Sequence, residues 1–127
     1  MIGVNVRSDS GVDYAGLIVG GIKTLETRRT DSLRPWVGQR VGIVRTGRGA
    51  AQLVGYAVIL EPIVMGHAEF RQAQGRHLVP AGSTFDAQPG AVKYCYPMQE
   101  PERLAAPEPV TSRGIIARRL SEVTRHK

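Results

Sequence analysis

Gly21-Ile22-Lys23-Thr24-Leu25-Glu26-Thr27-Arg28 is the stretch on which the reading of this chain turns. Upstream of it, Asp13 offers an N-cap, and Tyr14, Leu17, Ile18 and Gly21 recur at helical spacing. Gly20-Gly21 can end that helix, because glycine reaches the left-handed conformation without steric cost. Lys23 then follows a helix C-terminus, whose partial negative charge favours a cation. From Lys23 to Arg29 the pattern turns to strand, with Thr24, Glu26 and Arg28 on one face and Leu25 and Thr27 on the other. Of 17 Lys plus Arg residues only Lys23, Lys93 and Lys127 are lysines. An amine set among cations and an acid invites a chemical reading, since Lys can lose its proton when buried or crowded and Arg cannot.

Outward from this stretch, the pattern is that of short strands. Ile2, Val4 and Val6 alternate, so Met1 to Arg7 reads as a first strand. Gln39 to Arg45 is another, and Gly47 to Ala50 a hairpin turn. Leu53 to Met65 is almost continuously apolar, as expected of a strand covered on both faces, and Gly55 reads as a bend in a barrel. Ala68 to Arg76 is a helix candidate and Val79 to Gly90 a loop. Val92 to Tyr96 alternates as a strand that Pro97 stops. Two last short strands fall near Glu102 to Ala105 and Arg113 to Leu120. The sum is a small mixed barrel in a single domain spanning 1–127, with a basic tail at about 121–127.

Composition narrows the function classes. Hydrophobic residues are 42% and charged residues 22%, an ordinary globular balance that excludes a disordered chain. No apolar run approaches the roughly 20 residues that cross a bilayer, so no membrane role is expected. The first residues lack the basic start and apolar stretch of a secretory signal, and the single Cys95 cannot form an internal disulfide; both point to the cytoplasm. A formal charge of +6 and a pI near 10.1 favour a polyanionic partner, through release of condensed counterions. Arg residues spread over a solvated surface would give the same balance.

At Gly21, Lys23, Glu26 and Arg28 the chain resembles the ASCH domains of the PUA-like superfamily, whose hallmark is Gly-x-Lys-x-x-Glu-x-Arg directly after a helix. The flanks are similar too: Tyr14 to Ile18 resembles the helix that enters the motif, and Val41 to Val44 with Leu53 to Val58 resembles the next two barrel strands. Tyr96-Pro97 and the run from Pro107 to Ile116 look like the closing hairpin. The resemblance implies an α+β fold, a PUA-like mixed β-barrel of five to six strands with two or three short helices and a cleft lined by the motif. It further implies binding of RNA or a modified nucleoside, with no cofactor. Some members are hydrolases, either ribonucleases or an amidohydrolase that removes acetyl from acetylcytidine. The catalytic lysine of that amidohydrolase maps onto Lys23. Its catalytic threonine falls where this chain has Glu26, a departure that weighs against deacetylation; Glu69 is the better-positioned candidate for its later glutamate, and Glu61, inside the apolar strand, the poorer one.

The candidate site therefore comprises Lys23, Glu26 and Glu69 for catalysis, and Gly21, Lys23, Thr24, Glu26, Arg28, Trp36, Tyr56 and Tyr96 for ligand binding. Lys23 could act as nucleophile or base, as a ligand-holding cation, or in a structural ion pair. Glu26 and Arg28 could pair at the mouth of the cleft, or Arg28 could grip a phosphate. Trp36, Tyr56, Tyr94 and Tyr96 could stack a base, or simply pack. His67 and His77 lack the neighbours a metal site needs. Cys95 reads as a small buried side chain. Arg118, Arg119, Arg125, His126 and Lys127 could follow a phosphate backbone. A protein-interaction module on the same barrel is the remaining alternative.

Overall fold

A computed structural model describes residues 1–120, and the basic tail at 121–127 lies outside the described residues. The Ile2/Val4/Val6 alternation gives β1 (Ile2–Arg7), with Val4 and Val6 fully in the core. β1 pairs in parallel with β3 (Arg40–Thr46), from Gly3↔Gly42 to Arg7↔Thr46. Parallel neighbours need a long crossover, and here the crossover contains α1 (Tyr14–Val19) and β2 (Leu25–Arg28). Asp13 caps α1, its carboxylate accepting from the Gly16 N–H at 3.1 Å. At the far end Gly21 takes φ of 76°, and the N–H groups of Ile22 and Lys23 both donate to the Leu17 carbonyl. This tight exit turns Lys23 inward.

β4 (Gln52–Ile59) pairs antiparallel with β3. Gly55 lies so close to its neighbours that a Cβ there would collide with the Glu102 carbonyl oxygen and with the Val19 side chain of α1. The expected single strand from Leu53 to Met65 is divided: β4 ends at Ile59, and a separate β5 (Ile63–Met65) follows Pro62, which has no N–H for a ladder. The expected helix from Ala68 to Arg76 is likewise split into α2 (His67–Gln72) and α3 (Gln74–His77) at Ala73, with Leu78 in the left-handed region (φ 62°) closing it.

The expected stop at Pro97 does not occur. β6 runs from Lys93 to Pro109, absorbing the expected strand at Glu102 to Ala105. Its first half pairs antiparallel with β2 on one side (Leu25↔Pro97 to Arg28↔Tyr94) and β5 on the other, and its second half pairs with β4. Register shifts along β4 and β6, and the positive φ of Glu100, bend the strand, and Pro101 and Pro107 fall where the pairing with β4 is interrupted. β7 (Ala117–Arg119), shorter than the expected Arg113 to Leu120, pairs antiparallel with β1.

The sheet order is β2-β6-β4-β3-β1-β7, with β5 attached to β6. It forms a curled half-barrel of seven strands with three short helices, a small α+β fold, with β5 as the strand beyond the five to six expected. Ile18, Leu25, Leu33, Ile43, Ile59, Phe70 and Tyr96 fill the core at 2% exposure or less. Burial of each large apolar side chain contributes about 1.5–3 kcal/mol.

Candidate ligand-binding cavity

The turn after α1 drives the Lys23 side chain into the protein, where the residue is only 2% exposed. Its Nζ donates to the His77 carbonyl at 2.5 Å, lies 4.9 Å from the centre of the Tyr14 ring, and stands 3.8 Å from Glu26 Oε1. Burial lowers the amine from its ordinary 10.5 to about 8, against the opposing pull of Glu26. An amine at about 8 still carries its proton in roughly ten molecules of eleven at pH 7. Lys23 is therefore a buried ammonium in the resting protein.

The acceptor is held in place by a buried histidine. His77 is fully covered and stacked on Phe70, with ring centroids 3.9 Å apart. Its Nδ1 accepts from the Val79 N–H at 2.9 Å, so Nε2 carries the hydrogen and donates to the Phe70 carbonyl at 2.5 Å. Burial lowers its pKa, which keeps the ring neutral. His77 thus serves as a scaffold for Lys23.

Glu26, also buried, is bonded mainly by Arg28, whose Nε and Nη2 reach Oε2 at 3.0 and 2.9 Å. Arg28 Nη2 further donates to the Asn5 carbonyl at 2.7 Å. Asn5 Nδ2 donates to the carbonyls of Gly114 and Ile115, and its Oδ1 accepts from Arg118. One asparagine on β1 therefore links the motif cations to the segment before β7.

Lys23, Glu26 and Arg28 line a single cavity of about 350 Å³, together with Arg29, Lys93, Tyr14 and Phe85. The aromatic wall is Tyr14 set edge-on to Phe85, centroids 6.1 Å apart. Lys93 is a second buried lysine, 4% exposed, donating to the Phe85 carbonyl at 2.8 Å. Asn5, Tyr14, Phe85 and Lys93 line the same cavity, and sequence reasoning missed them. Lys93 had one signal, its rarity as a lysine inside an alternating strand.

The structure does not bring the remaining candidates to this cavity. Gly21 shapes the helix exit, and Thr24 is exposed, its backbone pairing with Arg76 and Met98. Trp36 packs half-buried against the main core. Tyr56 lies in a second core cluster with Val44, Leu53 and Leu120, under the Arg40 guanidinium at 4.4 Å. Tyr96 is fully buried, its hydroxyl donating to Asp31 at 2.8 Å; burial and that carboxylate raise it to about 12. Glu69 lines a separate open hollow of about 340 Å³ with Arg76, Ile63 and Met65. Burial raises the Cys95 thiol to about 11, so it is not a thiolate at neutral pH. Among the described residues no group of three His, Cys, Asp or Glu is placed to hold a metal ion.

Among solved structures, the chain superposes on ASCH from Zymomonas mobilis with a TM-score of 0.72, over 98% of this chain and 90% of that one, at 15% identity. The fold is that of an ASCH domain. A serine-to-alanine variant of the same Zymomonas mobilis protein superposes equally well, at 16% identity and TM-score 0.72, with coverage of 98% and 91%. A tyrosine-to-phenylalanine variant matches over 84% of this chain and 73% of its own, with a TM-score of 0.61 and 16% identity. No protein-family profile and no curated protein sequence matches the chain. In this ASCH fold the Gly-x-Lys-x-x-Glu-x-Arg run is the helix exit plus β2, and its three charged residues face one cavity. No helix among the described residues is long and apolar enough to cross a membrane.

Proposed function

We propose that this ASCH-fold domain binds RNA or a modified nucleoside, admitting one base or nucleoside into the cavity beside Lys23. The observation that carries the reading is the joint placement of a buried ammonium, a carboxylate and a guanidinium in one aromatic-walled hollow. Its volume of about 350 Å³ falls at the small end of the roughly 300–1,000 Å³ typical of small-molecule sites, which suits a single nucleoside rather than a duplex. Single-stranded RNA presents unstacked bases of this kind, which aromatic rings stack and polar groups read at their edges. Phe85 offers the ring, Glu26 an acceptor for a base amino group, and Lys23 with Arg28 the donors. The net charge of +6 adds a general attraction for a phosphate chain.

Hydrolysis, as a ribonuclease or an amidohydrolase on acylated cytidine, has one observation in its favour: the Lys23 amine titrates near 8 beside a carboxylate. Glu69, in the other hollow, supplies no proton transfer at Lys23, so Glu26 would carry that role alone. Binding is preferred because Lys23 is protonated at neutral pH and already hydrogen-bonded.

The test is to titrate a short single-stranded RNA and acetylcytidine into the protein at two salt concentrations while assaying for hydrolysis products. RNA binding that weakens with salt, without products, is expected. Failure of both ligands to bind at low salt would overturn the reading. Products that vanish in Lys23→Met would favour the hydrolase.

A further inference from the structure

Lys93 adds a second buried ammonium to a cavity whose lining is already cationic. The lining residues include five cations, Arg7, Lys23, Arg28, Arg29 and Lys93, and a single carboxylate, Glu26. That carboxylate already accepts two bonds from Arg28. It is 3.8 Å from Lys23, beyond hydrogen-bond length. Asp86, the other buried acid nearby, is taken up by Arg71 and by the N–H groups of Gly82 and Ala87.

Among the described residues, Lys23 thus shares Glu26 with Arg28, and Lys93 has no carboxylate within 4.0 Å. Lys23 donates one hydrogen bond, to the His77 carbonyl, and faces the Tyr14 ring. Lys93 donates one, to the Phe85 carbonyl, and faces the Phe70 ring at 5.4 Å. An ammonium has three donors, so both retain donors for a ligand. Like charges sharing a desolvated hollow repel, and a buried cation without a counter-ion is costly. The hollow is open to solvent on one side, so a small anion can enter.

We propose that the cavity holds a phosphate group between Lys23 and Lys93, so that its ligand is a phosphorylated nucleotide or a phosphorylated RNA end. This rests on the nucleoside-binding reading for the nucleotide part and stands independently for the phosphate. A phosphate monoester fits better than a carboxylate because two ammoniums and the neighbouring guanidiniums match a dianion with three acceptor oxygens. Arg29, next along from Arg28↔Tyr94 in the β2–β6 register, falls at the start of β6 where Lys93 stands.

The experiment compares cytidine, cytidine 5′-monophosphate and inorganic phosphate as ligands of the full chain. Two forms of one short RNA, with and without a 5′-phosphate, distinguish a free nucleotide from a strand end as the source. Wild type is expected to bind the monophosphate about tenfold or more tightly than cytidine, as a charge-assisted pair predicts. Lys93→Met should bring that ratio close to one, and Lys93→Arg should largely retain it. Equal affinities for the two ligands in wild type, or an undiminished ratio in Lys93→Met, would overturn the phosphate site. If Lys93→Met does not fold, lysine-labelled wild type gives a second readout, because only three lysines contribute signals. Inorganic phosphate should shift the signals of Lys23 and Lys93, and unmoved signals would overturn the proposal. Phosphate-induced shifts without any nucleoside or RNA binding would sink the nucleoside reading and leave the phosphate site standing.

Discussion

Two hollows of almost equal volume, about 350 and about 340 Å³, lie among the described residues and differ in nearly every other respect. The first is walled by buried charge: Lys23, Glu26 and Lys93 are 2%, 7% and 4% exposed. The second, between β5 and the helices α2 and α3, is walled by exposed Glu69, Gln72, Gly75 and Arg76. Volume alone does not distinguish them. Desolvated charge does, because a buried ion interacts strongly with whatever enters, whereas a solvated one is screened.

That contrast can be broken most sharply at Glu26. Glu26→Gln removes the counter-charge of Arg28 and Lys23 together and is expected to destabilise the fold by about 3 kcal/mol. Glu69→Gln, in the open hollow, should change stability by less than about 0.5 kcal/mol. Denaturant melts of both variants test the pair; similar losses would erase the distinction.

The next effect depends on pH. Folding lowers Lys23 from an ordinary 10.5 to about 8, so between these values the unfolded chain holds a proton that the native state has released. Stability therefore rises with pH across that window, by about 1.4 kcal/mol per unit and about 3 kcal/mol in all, and the contribution is flat below about pH 8. Cys95 and Tyr96, raised by folding from 9.0 to about 11 and from 10.0 to about 12, act in the opposite sense over the upper part of that window and above it. Subtracting the stability of Lys23→Met at each pH cancels them and isolates Lys23. A difference that does not grow between about pH 8 and 9 would show that the amine is not desolvated.

Asn5→Ala should cost about 1–2 kcal/mol, since it strands the Gly114 and Ile115 carbonyls and the Arg118 guanidinium. Weaker ligand binding should accompany that loss, because the rim before β7 is no longer tied to β1. Tyr96→Phe is the smallest perturbation: about 1 kcal/mol for the lost bond to Asp31, with ligand affinity unchanged because Tyr96 lies outside the cavity. A large affinity loss in Tyr96→Phe would return the tyrosines to the site.

The motif and its neighbourhood are legible in the sequence because local rules govern them. Asp13 caps α1, Gly21 takes the left-handed turn, and Glu26 and Arg28 fall two apart on β2. The long-range parts are less legible. Pro97 reads as a stop only if its strand is regular, and in β6 bulges and a positive φ at Glu100 carry the strand onward. Tyr56 and Tyr96 read as base-stacking or as packing residues, and the curl of the sheet covers both. Lys93 has only its rarity as a lysine to mark it, because its partners, Phe85 and Phe70, come from a loop and a helix that only the fold places beside it. Burial is the quantity that a single sequence expresses least.

On the proposed reading, desolvated charge, and not the size of a hollow, marks the ligand site. The most direct measurement is the affinity of one short single-stranded RNA at neutral pH and fixed salt for wild type, Lys23→Met and Glu69→Gln. A loss of about tenfold or more in Lys23→Met, with Glu69→Gln within about twofold of wild type, is predicted. Equal losses in the two variants, or a loss confined to Glu69→Gln, would contradict it.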